Sequence, residues 1–205
     1  TEFRCWKEDG HGKTNLNKAL QQSCNIYFYN LIQMVDFELW SSEVKKFGFG
    51  DITKIDLNGE IKGIVPDRSY MNERYKDKGG WSTGHLLNLS IGQGEIMVTP
   101  IQIANLMNII QNEGYSIQPH LNKSYTYNRN IIDYDKKVWK IIKQSMYDAV
   151  NKDKGTAYKA NLNMKGAKVY GKTGTAQICS DCDLLRHAWF AGFLEFKNKK
   201  YSIAV

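Results

Sequence analysis

The 205-residue chain has no apolar run approaching the roughly 20 residues that span a bilayer, and no secretory leader at its start. Its four cysteines are too few to staple a domain of this size, which excludes a disulfide scaffold. With three prolines and no low-complexity tract, no interdomain linker or disordered arm stands out. Acidic residues are in deficit: 28 Lys and Arg face 21 Asp and Glu, a net charge of +7. The cations are scattered and not interleaved with aromatics, which argues for a solvated basic surface and against a nucleic-acid partner. What remains is an ordinary globular mixture, 42% hydrophobic and 12% aromatic, enough for one sizeable core. The chain opens at Thr1 with sequence that reads as mid-domain, and it stops at Val205 without a turn or cap. We therefore expect residues 1–205 to be part of a domain, truncated at both ends.

Apolar spacing predicts two helices, or one kinked helix, around residues 16–32, with Thr14 or Asn15 as cap and Ser23-Cys24-Asn25 at the junction. A third amphipathic helix is expected over 37–47, stopped by Gly48 and Gly50. Residues 52–66 alternate apolar and polar around Asn58-Gly59, the signature of a hairpin, and 67–84 reads as a long polar loop. Thr99-Pro100-Ile101-Gln102 has the form of a capping box with proline in the first turn. It opens a helix that carries Ile103, Leu106, Met107 and Ile110 inward and ends by Gly114. Another helix spans about 135–150 on Val138, Trp139, Ile142, Met146 and Val150. Extended runs at 167–177, 187–196 and 200–205 close the chain. Helices first and antiparallel strands last give an α+β domain.

Within the first of those strands lies Val169-Tyr170-Gly171-Lys172-Thr173-Gly174-Thr175-Ala176-Gln177. Gly171 and Gly174 bare the backbone, Lys172 adds one cation, and Thr173 and Thr175 offer hydroxyls. Such an edge suits an extended peptide that carries a carboxylate. A Lys-Thr-Gly triplet alone also fits an ordinary edge strand. In combination with Ser23-Cys24-Asn25 about 150 residues earlier, it resembles the ordered motif set of penicillin-binding proteins. The chain is similar over its whole length to class B transpeptidases of the cell-elongation, penicillin-binding protein 2 type. Asn88-Leu89-Ser90-Ile91-Gly92-Gln93-Gly94 with Val98-Thr99-Pro100, and His187-Ala188-Trp189-Phe190 after the third motif, carry the likeness further.

That resemblance implies the penicillin-binding protein and serine β-lactamase fold, an antiparallel sheet packed with helices. It also implies a D,D-transpeptidase that cross-links peptidoglycan stem peptides through a serine acyl-enzyme and is acylated by β-lactams. Acyl transfer needs an activated serine, a base network and oxyanion donors. By resemblance, Ser23 relays protons to Lys172, Asn25 holds the substrate amide, and Thr173, Gly174 and Thr175 receive its carboxylate end. The Thr175 N–H would be one oxyanion donor. The family's nucleophile, the Ser of an S-x-x-K motif, precedes the S-x-N triplet and would lie upstream of this chain. The one such string present, Ser42-Glu43-Val44-Lys45, follows the triplet and reads as a chance match on a solvated helix face. The likeness further implies a periplasmic domain of an inner-membrane protein with a glycan-polymerising partner. A non-catalytic peptide-binding or scaffold module, or a β-lactam-sensing or hydrolysing relative, are the competing readings.

Two cysteine sets stand apart. Cys5, His11 and Cys24 form a series of zinc-preferred donors, and some elongation-type relatives hold a structural zinc at matching positions with one further acidic ligand. A Cys5–Cys24 disulfide, or unrelated buried and surface residues, would use the same positions. Cys179-Ser180-Asp181-Cys182 fits a turn disulfide or two free thiols.

Overall fold

A computed structural model describes residues 2–124, 128–177 and 186–205. Helix α1 (Leu16–Gln22) is capped by Asn15, whose side chain accepts from Lys18 N. Helix α2 (Asn25–Ile32) follows after two residues, and α3 (Phe37–Lys46) is capped by Asp36. The expected loop at 67–84 is instead largely helical: α4 (Arg68–Tyr75) runs into a 3-10 turn, Lys76–Lys78, and α5 (Thr83–Ser90) comes next. Asp67 caps α4 by accepting from Tyr70 N, and Met71, fully buried, seats it in a cluster with Phe37 and Leu89. One deeply buried side chain and an aromatic surround hold this helix, and neither leaves an amphipathic stripe in the sequence.

The hairpin expected at 52–66 is absent among the described residues. Glu60 turns its carboxylate onto the N–H groups of Thr53 and Lys54, a side chain standing where a strand partner would pair. Ile52, Leu57 and Ile61 lie exposed, so their alternation reports no buried face. The only bridge from this stretch joins Ile64 to Met97.

The capping box at Thr99 and Gln102 is formed and opens α6 (Pro100–Gln111). Helix α7 (Lys136–Asn151) starts at Asp135. Val138, expected on its apolar side, is exposed, while Trp139, Met146 and Val150 are buried. Strands β1 (Tyr115–Ile117) and β2 (Arg129–Ile131), unforeseen in the sequence, form a short antiparallel pair. The three closing strands are β3 (Lys168–Gln177), β4 (Arg186–Phe196) and β5 (Lys199–Ala204), antiparallel in the order β3-β4-β5. Helix α7 packs on β3 and α6 on β4 and β5. The core between them centres on Ile109, Trp139, Met146 and Phe193. Phe193 stacks on Tyr170 at 4.4 Å, and Tyr147 of α7 meets Tyr170 at 5.5 Å. Side chains alternate across a strand, so Lys172 follows Tyr170 onto this helix-covered face. Trp189 and Phe190 of β4 are half-buried. Helices packed on an antiparallel sheet make the α+β architecture that the element order implied.

Candidate active site

The chain leaves α1 through a residue that seldom adopts the conformation needed. Ser23 sits at φ 52 and ψ 52, in the left-handed region, which costs a non-glycine residue of order 1 kcal/mol or more. The Trp6 indole N–H reaches the carbonyls of Gln22 and Ser23 at 3.1 and 2.9 Å, and Cys24 N donates to Ala19 O at 2.9 Å. These contacts hold the turn and aim the Ser23 hydroxyl at β3. There the Lys172 ammonium donates to Ser23 Oγ and to the carbonyl of Thr173 at 2.8 Å. Burial pulls the Lys172 pKa from 10.5 down to about 8. Among the described residues no carboxylate pairs with this part-buried lysine, which marks it as a candidate functional cation.

Around this pair opens a cleft of about 820 Å³. Asn25 from the start of α2, Thr173, Gly174 and Thr175 from β3, and Gln93 all line it. The predicted residues from the two motifs are thus brought to one place. Pairing with β4 occupies one side of β3, and no other strand among the described residues pairs with the side facing the cleft. The two glycines differ in use. At Gly171 a side-chain carbon would meet the Phe190 ring at 2.5 Å, so its bareness seats Phe190 and not a ligand. Gly174 is exposed in the cleft, as expected.

Sequence reasoning missed three contributors. Thr156, after α7, lies between Ser23 Oγ at 3.3 Å and Thr173 Oγ1 at 3.2 Å. Gln93 donates to the Thr175 carbonyl at 3.3 Å, and Trp6 braces the Ser23 turn. Gln93 lay within a stretch already marked by resemblance, whereas a lone threonine and tryptophan carry no signal. Ser42 is no part of the cleft: its hydroxyl donates to Leu39 O at 2.9 Å, while Lys45 pairs with Asp67 at 3.0 Å.

Beside Ser23, the donor atoms of Cys5, His11 and Cys24 all lie within 4.8 Å of one another. Cys5 Sγ and His11 Nδ1 are 3.4 Å apart, close to the roughly 3.5 Å edge set by tetrahedral Zn–S and Zn–N bonds. His11 Nε2 is buried without a hydrogen-bond partner among the described residues. Both thiols are free, so the alternative Cys5–Cys24 disulfide is not formed. Burial pushes the Cys24 thiol up, with Cys5 beside it adding to the effect, and burial together with Lys7 pulls His11 down. Neutral imidazole and two adjacent sulfurs are a donor set that fits a zinc ion. Cys179 and Cys182 lie outside the described residues.

Known proteins are similar to this chain in sequence and fold. Peptidoglycan D,D-transpeptidase MrdA of Haemophilus influenzae is 34% identical over 226 residues, covering 99% of this chain and 34% of that protein. The structure of a penicillin-binding protein, PBP2, from Helicobacter pylori superposes with a TM-score of 0.87 at 33% identity, covering 99% of this chain and 37% of that one. The same protein in complex with MreC superposes at 0.85 with 34% identity, over 98% and 37% of the two chains. The chain spans about a third of the length of the curated relatives it matches. The Penicillin binding protein transpeptidase domain profile matches residues 1–205, and the chain belongs to that family.

Proposed function

We propose that the full-length protein is a D,D-transpeptidase that cross-links peptidoglycan stem peptides through a serine acyl-enzyme, with this chain supplying most of the substrate cleft. The observation that carries the reading is the buried Lys172 donating to Ser23 across the mouth of a strand with one free side. An extended stem peptide adds along β3. Its terminal carboxylate takes the positive end offered by Lys172 and the hydroxyls of Thr173 and Thr175. Asn25 holds a substrate amide, and the Thr175 N–H stabilises the oxyanion as it forms. Ser23, sharing a hydrogen bond with a lysine poised near neutral, passes protons to and from the reacting centre. The serine that is acylated comes from an S-x-x-K motif of the full-length protein: among the described residues Ser23 is the only serine lining the cleft, and Ser42 points away.

Cys5, His11 and Cys24 hold a structural zinc that ties the Ser23 turn to the preceding loop and supplies no chemistry. Among the described residues no helix is long and apolar enough to cross a membrane. We place the domain in the periplasm of a protein anchored elsewhere in its sequence, working beside a glycan-polymerising partner. Support for such a partner comes from the solved relative that binds MreC and from the peptidoglycan synthase complex, similar in fold.

The test is intact-mass and peptide mapping of the full-length protein after incubation with a labelled penicillin. One drug mass on the serine of an upstream S-x-x-K is expected. A label on Ser23 or Ser42 overturns the assignment of roles, and a folded protein that takes no label is a binding module.

A further inference from the structure

The residue that the motifs leave out is the one through which the cleft's hydroxyls meet. Thr156 is fixed at its backbone, where its N–H donates to Gln21 O at 3.1 Å. The turn before it is wedged on the end of α7: Ala157 N donates to Ala149 O at 3.0 Å, and a side chain on Gly155 would strike that oxygen at 2.1 Å. From this seat Thr156 Oγ1 contacts three groups: Ser23 Oγ at 3.3 Å, Thr173 Oγ1 at 3.2 Å and the Gln21 carbonyl at 3.4 Å.

Proton counting assigns directions. The Gln21 carbonyl can only accept, so Thr156 donates to it and its lone pairs face the other two hydroxyls. Lys172, as an ammonium, donates to Ser23 Oγ, which leaves the Ser23 proton to go to Thr156. Before substrate binds, Thr173 likewise donates to Thr156, a proton it turns to the substrate carboxylate when the peptide binds. When Lys172 loses its proton, the Ser23 hydroxyl can swing to donate to the amine, and Thr156 can donate to Ser23 in turn. One hydroxyl therefore sets how both motif hydroxyls point and permits the reversal that a relay through Ser23 requires.

We infer that Thr156 is a positioning residue for acylation, acting through Ser23 and Thr173 and touching no reacting atom itself. The inference rests on the transpeptidase reading above. Among the described residues, the charged and titratable groups of the surrounding cleft are Glu2, Arg4 and Cys5 of the leading segment, Tyr29 of α2 and Arg186 of β4. Burial, and not one of these charges, is what lowers Lys172.

The experiment measures acylation of the full-length protein by a labelled penicillin from pH 6 to 10, for wild type, Thr156→Val and Thr156→Ser. Valine keeps the shape and removes the acceptor, so acylation should slow about tenfold, the worth of one well-placed hydrogen bond. Without Thr156 to take its proton, Ser23 accepts less well from Lys172, so the cation is less favoured. The alkaline limb should therefore move down by about half a pH unit. Serine restores the hydroxyl and should recover both rate and limb. A purely structural role would lower the melting temperature of both variants and leave the limb in place. Wild-type rate and limb in Thr156→Val overturn the inference, as does failure of Thr156→Ser to rescue. A wild type that is not acylated at all would refute the transpeptidase reading instead.

Discussion

Replacing Lys172 by methionine should remove function and, at neutral pH, add stability. The two effects can be sized from one environment. Among the described residues no carboxylate shares Lys172, and burial brings its pKa from 10.5 to about 8. Each tenfold change in proton affinity is worth about 1.4 kcal/mol, so keeping this ammonium charged inside the fold costs about 3 kcal/mol below pH 8. Against that stand two donated hydrogen bonds, to Ser23 Oγ and Thr173 O, worth about 1 kcal/mol each. Lys172→Met, similar in length and apolar, should therefore be more stable than wild type by about 1 kcal/mol at pH 7. The sign then changes with pH. Because the folded pKa lies below the unfolded one, the unfolded state binds more protons between about 8 and 10.5, and wild-type stability rises through that window. The methionine variant has nothing there to titrate, so its advantage should vanish and reverse, a swing of about 3 kcal/mol by pH 11. Denaturant unfolding of both proteins at pH 7, 9 and 10.5 measures the difference directly, with other titrations cancelling. Acylation by a labelled penicillin should fall by about two to three powers of ten, as when a preorganised charge is removed from a reacting site. A variant destabilised at pH 7, with no pH-dependent gap from wild type, would refute the account of Lys172 as a costly unpaired cation.

Three further outcomes follow from the packing. Gly155→Ala drives a carbon to 2.1 Å from Ala149 O, so it should cost about 2 kcal/mol or more in denaturant unfolding and slow acylation by displacing Thr156. Gln102, 2% exposed, donates to the carbonyls of Asp51 and Lys62 and accepts from Thr99 N. Gln102→Leu strands three backbone groups and should cost about 3 kcal/mol, with hydrogen exchange accelerating first over residues 48–66. Elemental analysis of the purified protein should find one zinc per chain, lost in Cys24→Ser, with chelator lowering the melting temperature; a metal-free protein of unchanged stability would remove the zinc proposal.

Those parts of the chain that local physics controls could be read in the sequence. Asn15 and the Thr99–Gln102 box cap their helices because short polar side chains satisfy free N–H groups wherever they occur. The closing strands could be read as extended runs with apolar side chains. What failed was tertiary. Helix α4 is held by Met71 among Phe37, Leu89, Trp40 and Trp81, partners far apart in the chain. The apparent hairpin at 52–66 lost to one carboxylate, Glu60, which satisfies the backbone that a strand would have paired. In the site, Lys172, Thr173 and Ser23 could be found because each sits in a short motif. Thr156 could not, because its importance is a meeting of three hydroxyls, one of them 133 residues away in the chain.

Among the described residues no carboxylate sits beside Lys172, which leaves its charge available to the cleft. An acidic neighbour would stabilise the fold, yet it would also spend the charge on itself and leave an incoming substrate carboxylate facing a neutral pair. Hydroxyls and carbonyls hold the ammonium in place without cancelling it. The free side of β3 has the same character, offering backbone groups that no other strand among the described residues takes, while the long Gln93 contact at 3.3 Å is readily exchanged for a peptide N–H. The left-handed turn at Ser23 adds a third cost borne at one spot. All three concern the α1–α2 junction or β3, and the charge and the open edge would be used by an extended anionic peptide lying along that strand. Strain, an unpaired charge and an unpaired edge within one cleft are what a site complementary to a ligand, and not to itself, is expected to show.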